Sequence, residues 1–275
     1  MDSSSSAKPP VEVADLYDSP SGQLGPILFG GHLHWGYWDE TTRDHDFAQA
    51  ADRMTRLMIE RTTIQADQHF VDLGCGVGHP AQVLARARGC RVDGVTISGY
   101  QQQEAARRAK EAGLEDRLHF IHGTALQTPR PDAYYDGGWF FESIFHMGQA
   151  AALQEASRVL KSGATLVLTD LPILPNTTPD FMDFVAKHIH SSFIDQAEYP
   201  ALLAKAGFEM VALEDITENV MPWLVPKLKE AISAHRSEAA ALIQENLENE
   251  IDNWVFLFEY MSENLGYIIV TARKV

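Results

Sequence analysis

Val71-Asp72-Leu73-Gly74-Cys75-Gly76-Val77-Gly78 decides how the rest of this chain is read. A short apolar run, Phe70 to Leu73, leads into three glycines at alternate positions, and a helical stretch from Pro80 to Arg88 follows. Glycine lets the backbone turn sharply and a ligand approach closely, and a helix N-terminus presents amides that attract negative groups. Strand, glycine turn and helix together are the setting in which such a motif carries meaning. The spacing is G-x-G-x-G, with His79 where a dinucleotide loop would place its third glycine. That disfavours a pyrophosphate clamp, and with it a nicotinamide oxidoreductase.

Outward from the loop, strands and helices alternate. Strands are expected at 91–97, 117–122, 135–141 and 164–170, and helices at 100–112 and 150–160. This alternation predicts right-handed βαβ units and an α/β, doubly wound, mostly parallel sheet. Residues 11–66 carry no sheet pattern but hold the cluster His32-Leu33-His34-Trp35-Gly36-Tyr37-Trp38 and an amphipathic helix over 47–61. Beyond Asp170 come a proline-rich stretch, a helical region over 181–206, a strand over 208–216, a long helical insertion over 219–264 and a last strand over 266–272. The expected organisation is a disordered tail, 1–12, and one domain, 13–275. Its cap or lid elements fall near 13–66, 171–206 and 217–264.

The chain has 275 residues, 45% of them hydrophobic, and a formal net charge of −16. A core of full size can form, and so acidic a surface repels phosphate backbones and anionic lipid. Neither nucleic acid nor membrane is expected as a partner; a neutral or cationic small molecule fits better. The Ser-rich N-terminus lacks the apolar segment of a signal peptide, and no apolar run spans a bilayer, so a cytoplasmic protein is expected. The two cysteines, Cys75 and Cys90, suggest neither a disulfide framework nor a zinc site. His188 and His190 do not share a helix face, and no metal is expected. The sequence carries no signal for oligomeric state.

The glycine loop resembles motif I of the class I S-adenosylmethionine-dependent methyltransferases. Glu142-Ser143-Ile144-Phe145-His146-Met147 resembles the family's segment after the fourth strand, and 155–163 its helix-turn before the fifth. Gly266-Tyr267 with Ala272-Arg273-Lys274 resembles the closing strand of small-molecule enzymes from natural-product pathways. These include sugar O-methyltransferases of the rebeccamycin type, and tailoring enzymes of macrolide and ansamycin antibiotic clusters. The resemblance runs from about Val13 to Val275 and implies a seven-stranded Rossmann-like sheet with N-terminal helices and a helical lid. It implies S-adenosylmethionine, or its demethylated product S-adenosylhomocysteine, as the cofactor. Asp72, Gly74, Gly76 and Gly78 would form the loop that holds it, and Tyr37 and Trp38 would cover it. Thr96, Ser98, Gln101, Thr124 and Ala125 would add contacts, although the acidic residues many relatives carry after the second and third strands are absent.

Methyl transfer to a hydroxyl needs in-line positioning and a base, and histidine is suited to that by its near-neutral pKa. Sugar enzymes of this group carry His-His after Glu-Ser-x; here the first position is Phe145, which leaves His146. Asp170 ends the fifth strand, where α/β sheets present catalytic groups. The expected catalytic residues are therefore His146 and Asp170, with Glu142 structural or adjacent to the cofactor. Tyr17, Phe141, Phe145, Trp223, Trp254 and Phe258 are candidates for an apolar substrate pocket. Two functions stay open. One is methylation of a hydrophobic polyketide- or macrolide-like metabolite. The other is a methyltransferase-like cyclase, of the spinosyn-pathway type, that binds the cofactor and promotes an intramolecular [4+2] cycloaddition.

Overall fold

The computed structural model describes residues 11–275. The tail expected over 1–12 lies outside the described residues up to Pro10; Val11 and Glu12 already belong to a helix. Three helices come first, α1 (Val11–Asp18), α2 (Leu24–Leu28) and α3 (Phe47–Glu60). The alternating stretch follows as β1 (His69–Leu73), α4 (His79–Arg88), β2 (Arg91–Thr96), α5 (Gly99–Glu111), β3 (Leu118–His122), β4 (Tyr135–Phe140), α6 (Gln149–Val159) and β5 (Leu160–Asp170). The remainder is α7 (Pro179–His188), α8 (Tyr199–Lys205), β6 (Phe208–Asp215), α9 (Thr217–Ala234), α10 (Arg236–Ile243), α11 (Leu247–Asn264) and β7 (Ile268–Lys274).

The seven strands form one sheet in the order β3-β2-β1-β4-β5-β7-β6, parallel except for β7, which runs antiparallel to both neighbours. Chain order reverses between β1 and β4, the position where open α/β sheets leave a crevice beyond their carboxyl ends. Both faces are covered, as a parallel sheet requires. Period-two alternation sorts the side chains. Phe70, Trp139, Val167 and Ile269 face a core shared with α3, α4, α5 and the C-terminal helices, whereas Val71, Phe140, Leu168 and Val270 face α6 and α8.

The structure departs from the sequence expectation most at three places. Pairing with β4 begins at Leu160, so β5 starts four residues early. The helical region expected over 181–206 is interrupted between α7 and α8 by an irregular segment. That break brings Ser191 beside His146. The helical insertion is three helices, and α9 accommodates Pro222 and Pro226 in its interior.

Local signals start the helices that frame the crevice. α3 opens on a capping box, in which Asp46 accepts from the Gln49 N–H and the Gln49 side chain accepts from the Asp46 N–H. Ser98 caps α5 by accepting from the Gln101 N–H at 2.9 Å. Gly78 caps α4 with φ of +77°. A Cβ there would lie 2.7 Å from the Phe120 ring and 2.9 Å from the Ala105 Cβ. Gly78→Ala therefore combines left-handed strain with overpacking, and should cost about 2–4 kcal/mol of stability in urea denaturation.

Candidate active site

The crevice beyond β1 and β4 is a cavity of about 420 Å³, within the size range of small-molecule sites. Gly74 and Gly76, with φ of +93° and +51°, bring backbone to its surface. A Cβ on Gly74 would overlap that of Ser143, and one on Gly76 would lie 2.7 Å from Leu33 Cδ1. Ser143 holds the two strand ends together by donating to the Leu73 carbonyl at 2.6 Å. Asp72 also faces this cavity. Burial pushes its carboxyl up to about 7; the Trp139 indole N–H tempers the shift, yet neither carboxyl oxygen completes a hydrogen bond within the protein. A buried acid without partners, beside glycines that leave room for a ligand, fits a polar cofactor in this cradle.

Of the remaining cofactor candidates, Thr96, Gln101, Thr124 and Ala125 line the same cavity. Thr96 donates to the Gln101 side-chain oxygen at 2.7 Å. Gly78 and Ser98 do not line it. Gly78 is packed against β3 and α5, while Ser98 is fully buried as a helix cap and bonds to Asp18. Tyr37 and Trp38 also turn away, contrary to expectation. Trp38 is completely buried, exchanges bonds of 2.9 Å with Asn219, N–H to carbonyl in one direction and amide to carbonyl in the other, and meets Phe47 edge-on. The Tyr37 ring lies 5.2 Å from the Arg53 guanidinium. The two side chains fasten the N-terminal segment to α3, and the Trp38 backbone fastens it to α9; Leu33 and His34, a few residues earlier, form the cavity wall instead.

A second cavity, of about 520 Å³, lies under α7 and α11. Trp254 and Phe258 line it, stacked on each other at 5.8 Å, while Phe141 lines only the first cavity. Trp223 lines neither; it packs half-buried against the helical core. Tyr17, Leu33, Glu142, Phe145, His146 and Ser191 border both cavities and form the seam between them.

The chemistry sits on that seam. The Ser191 hydroxyl donates to the Ile189 carbonyl at 3.0 Å, so it accepts from His146 Nδ1, also at 3.0 Å. The opposite nitrogen, Nε2, therefore carries a lone pair and accepts from the Tyr17 hydroxyl at 2.8 Å. Burial pushes His146 down to about 4, so the ring is neutral at pH 7, and the surface it retains opens on the cavities. Glu142 was the harder residue to foresee. It adopts φ of +47°, accepts from the Trp35 N–H at 2.7 Å and from the Tyr267 hydroxyl, and burial pushes it up to about 8. No periodic pattern signals such a conformation.

Asp170, expected among the catalytic residues, is instead held away from both cavities. Its carboxylate is fully buried, accepts from Tyr199 at 2.5 Å, from Gln149 at 3.1 Å and from the Leu171 N–H at 2.9 Å, and lines neither cavity. Gln149 also donates to the Ser192 carbonyl, and the Ser192 N–H to that of Phe145. Asp170 thus positions the segment that carries Ser191 and does not face a reactant.

The buried imidazole has a consequence for stability. A histidine kept neutral in the fold takes up a proton on unfolding once the pH drops below the ordinary value of about 6.5. His146 should therefore withdraw stability as pH falls from there, and the loss should level off near 4. Glu142 and Asp72 act with the opposite sign as pH rises from about 4 towards 8 and 7. In urea unfolding at a series of pH values, His146→Asn should show a shallower decline between pH 6.5 and 4 than the parent.

Comparison with known proteins agrees with this arrangement. A family model described as a methyltransferase domain matches residues 71–168. The (+)-O-methylkolavelool synthase of Herpetosiphon aurantiacus is 33% identical over 270 residues, 97% of this chain and 95% of that protein. The 27-O-demethylrifamycin SV methyltransferase of Amycolatopsis mediterranei is 32% identical, covering 96% of this chain and 97% of its own. The crystal structure of the [4+2]-cyclase SpnF matches with a TM-score of 0.81 and 30% identity, over 95% of this chain and 94% of that one. The chain belongs to the class I S-adenosylmethionine-dependent methyltransferases, in their natural-product group.

Proposed function

We propose that this enzyme methylates a hydroxyl of an apolar, polyketide- or terpenoid-like metabolite in antibiotic-type secondary metabolism, in the cytoplasm, with His146 as the base. One observation carries the reading: the unprotonated Nε2 of His146 lies on the seam between the glycine-loop cavity and the aromatic cavity, paired with a hydroxyl at 2.8 Å. When bound, S-adenosylmethionine supplies a methyl on a sulfonium, which an acceptor oxygen displaces in line.

The residues divide the work by position. Asp72, Gly74, Gly76, Thr96, Gln101, Thr124 and Ala125 hold the cofactor. Trp254, Phe258 and Phe145 exclude water from the acceptor's side, and a dry site strengthens each polar contact inside it. The acceptor hydroxyl takes the place of Tyr17 OH at His146 Nε2 and gives its proton to that nitrogen as the new bond to carbon forms. Ser191 holds the ring, and Asp170 holds the Ser191 segment through Gln149. The relatives named for O-methylation support an oxygen acceptor.

A second reading keeps the cofactor without methyl transfer, as a [4+2]-cyclase. It is favoured by Phe145 where a catalytic histidine is expected and by the likeness to SpnF along nearly the whole chain. In that case the aromatic cavity would hold a reactive conformer and the Tyr17 hydroxyl would polarise a carbonyl.

The two readings separate by mass. Incubation with the pathway intermediate should give a product heavier by one methyl, and only when cofactor is present; conversion at unchanged mass would establish the cyclase. His146→Asn should lower kcat by about 10²–10⁴-fold. A rate within about threefold of the parent, well below what a general base contributes, would remove His146 from the reaction.

A further inference from the structure

On the outer side of the cofactor cavity, three segments bring ligand-type atoms together. His32 precedes Leu33 and His34 of the cavity wall, Asp52 lies on α3, and His79 is the first residue of α4, directly after the glycine loop. Asp52 Oδ1 stands 3.2 Å from His32 Nε2 and 3.4 Å from His79 Nε2, and the ligand atoms of all three residues lie within 4.8 Å of one another. A tetrahedral zinc site with bonds of about 2.0–2.1 Å has ligand-to-ligand edges of about 3.3 Å. The Asp52–His32 and Asp52–His79 edges match that spacing.

Hydrogen bonding fixes which nitrogen of His32 faces the carboxylate. The Trp35 carbonyl can only accept, so His34 donates to it from Nδ1 at 2.9 Å. His34 Nε2 is then an acceptor, for His32 Nδ1 at 2.9 Å. His32 therefore carries a proton on Nδ1 and turns Nε2 to the carboxylate oxygen. Nε2 and the carboxylate oxygen, 3.2 Å apart, require a cation between them, a proton or a metal ion. A ligating histidine whose other nitrogen donates to a buried acceptor is the usual outer-sphere arrangement of a metal site. Here the ring and its acceptor are both buried, at 1% and 3% exposure, while Asp52 is about half exposed and gives solvent a path to a fourth position.

We propose that His32, Asp52 and His79 bind one divalent transition-metal cation of the zinc class, with water as fourth ligand. The donor set of two imidazoles and one carboxylate suits zinc. The ion faces away from the reacting groups and serves to fasten the Gly31–His34 wall to α3 and to the start of α4. The reading does not depend on which molecule is methylated, and it replaces the sequence expectation of no metal.

The test uses the full chain without a histidine tag, stripped with a chelator. Zn²⁺ titrated by calorimetry should bind one equivalent per chain, and at about a hundredfold excess over its Kd should raise Tm by roughly 5–8 °C. Asp52→Asn and His79→Gln, both at partly exposed positions, should each weaken binding by at least about tenfold. Co²⁺ added to the unmutated protein should give the intense visible bands of tetrahedral coordination, a reading that needs no variant to fold. Absence of binding and of any Tm shift would overturn the site and leave an ordinary His32–Asp52 ion pair. Equal affinity in parent and variants, or a Co²⁺ spectrum of octahedral type, would overturn it as well.

Discussion

Between Gly74 and Ser143 there is no space for another atom. The first has no side chain, the second occupies the volume one would need, and the serine hydroxyl is tied to the carbonyl of Leu73. This contact joins the carboxyl ends of β1 and β4, the adjacent strands from which the sheet grows in opposite directions. Next to Ser143, Glu142 adopts a left-handed conformation, and the turn through Ile144–His146 brings His146 to the seam between the cavities. The left-handed backbone of a non-glycine residue costs of order 1–3 kcal/mol. The buried bonds of Glu142 to Trp35, Thr169 and Tyr267 hold it there.

The seam between the cavities follows from the same constraint. Six side chains border both compartments, and they come from α1, the segment before α3, the turn after β4 and the break after α7. None is adjacent to the glycine loop in sequence. The loop supplies a place for a cofactor; the chemistry is set by how distant segments are brought to its rim.

This explains which parts were legible in the sequence. The strands and the loop could be read because alternation of apolar residues and glycine spacing are local signals, decided by residues within one or two turns of each other. His146 was legible as a histidine after a strand. Asp170 was misjudged because its position at a strand end is local information, while its consumption by Tyr199 and Gln149 depends on residues 29 and 21 positions away. Tyr37 and Trp38 failed for the same reason. An aromatic pair near a cofactor loop reads as a cover, and only the packing of the rings against Phe47 and Arg53 of α3 shows that the pair belongs to the scaffold. The His32–Asp52–His79 cluster had no sequence signature, since its spacing of 20 and 27 residues corresponds to no metal motif.

The clasp between Trp38 and Asn219 also bears on how the protein is made. A nascent chain that has emerged only as far as β5 contains the whole glycine loop and five of the seven strands. It lacks one anchor of the segment that carries Leu33 and His34, because Asn219 has not been synthesised. Contacts this far apart in sequence form late and slowly. A chain truncated before α9 would hold its signature motif without this clasp on the wall beside it.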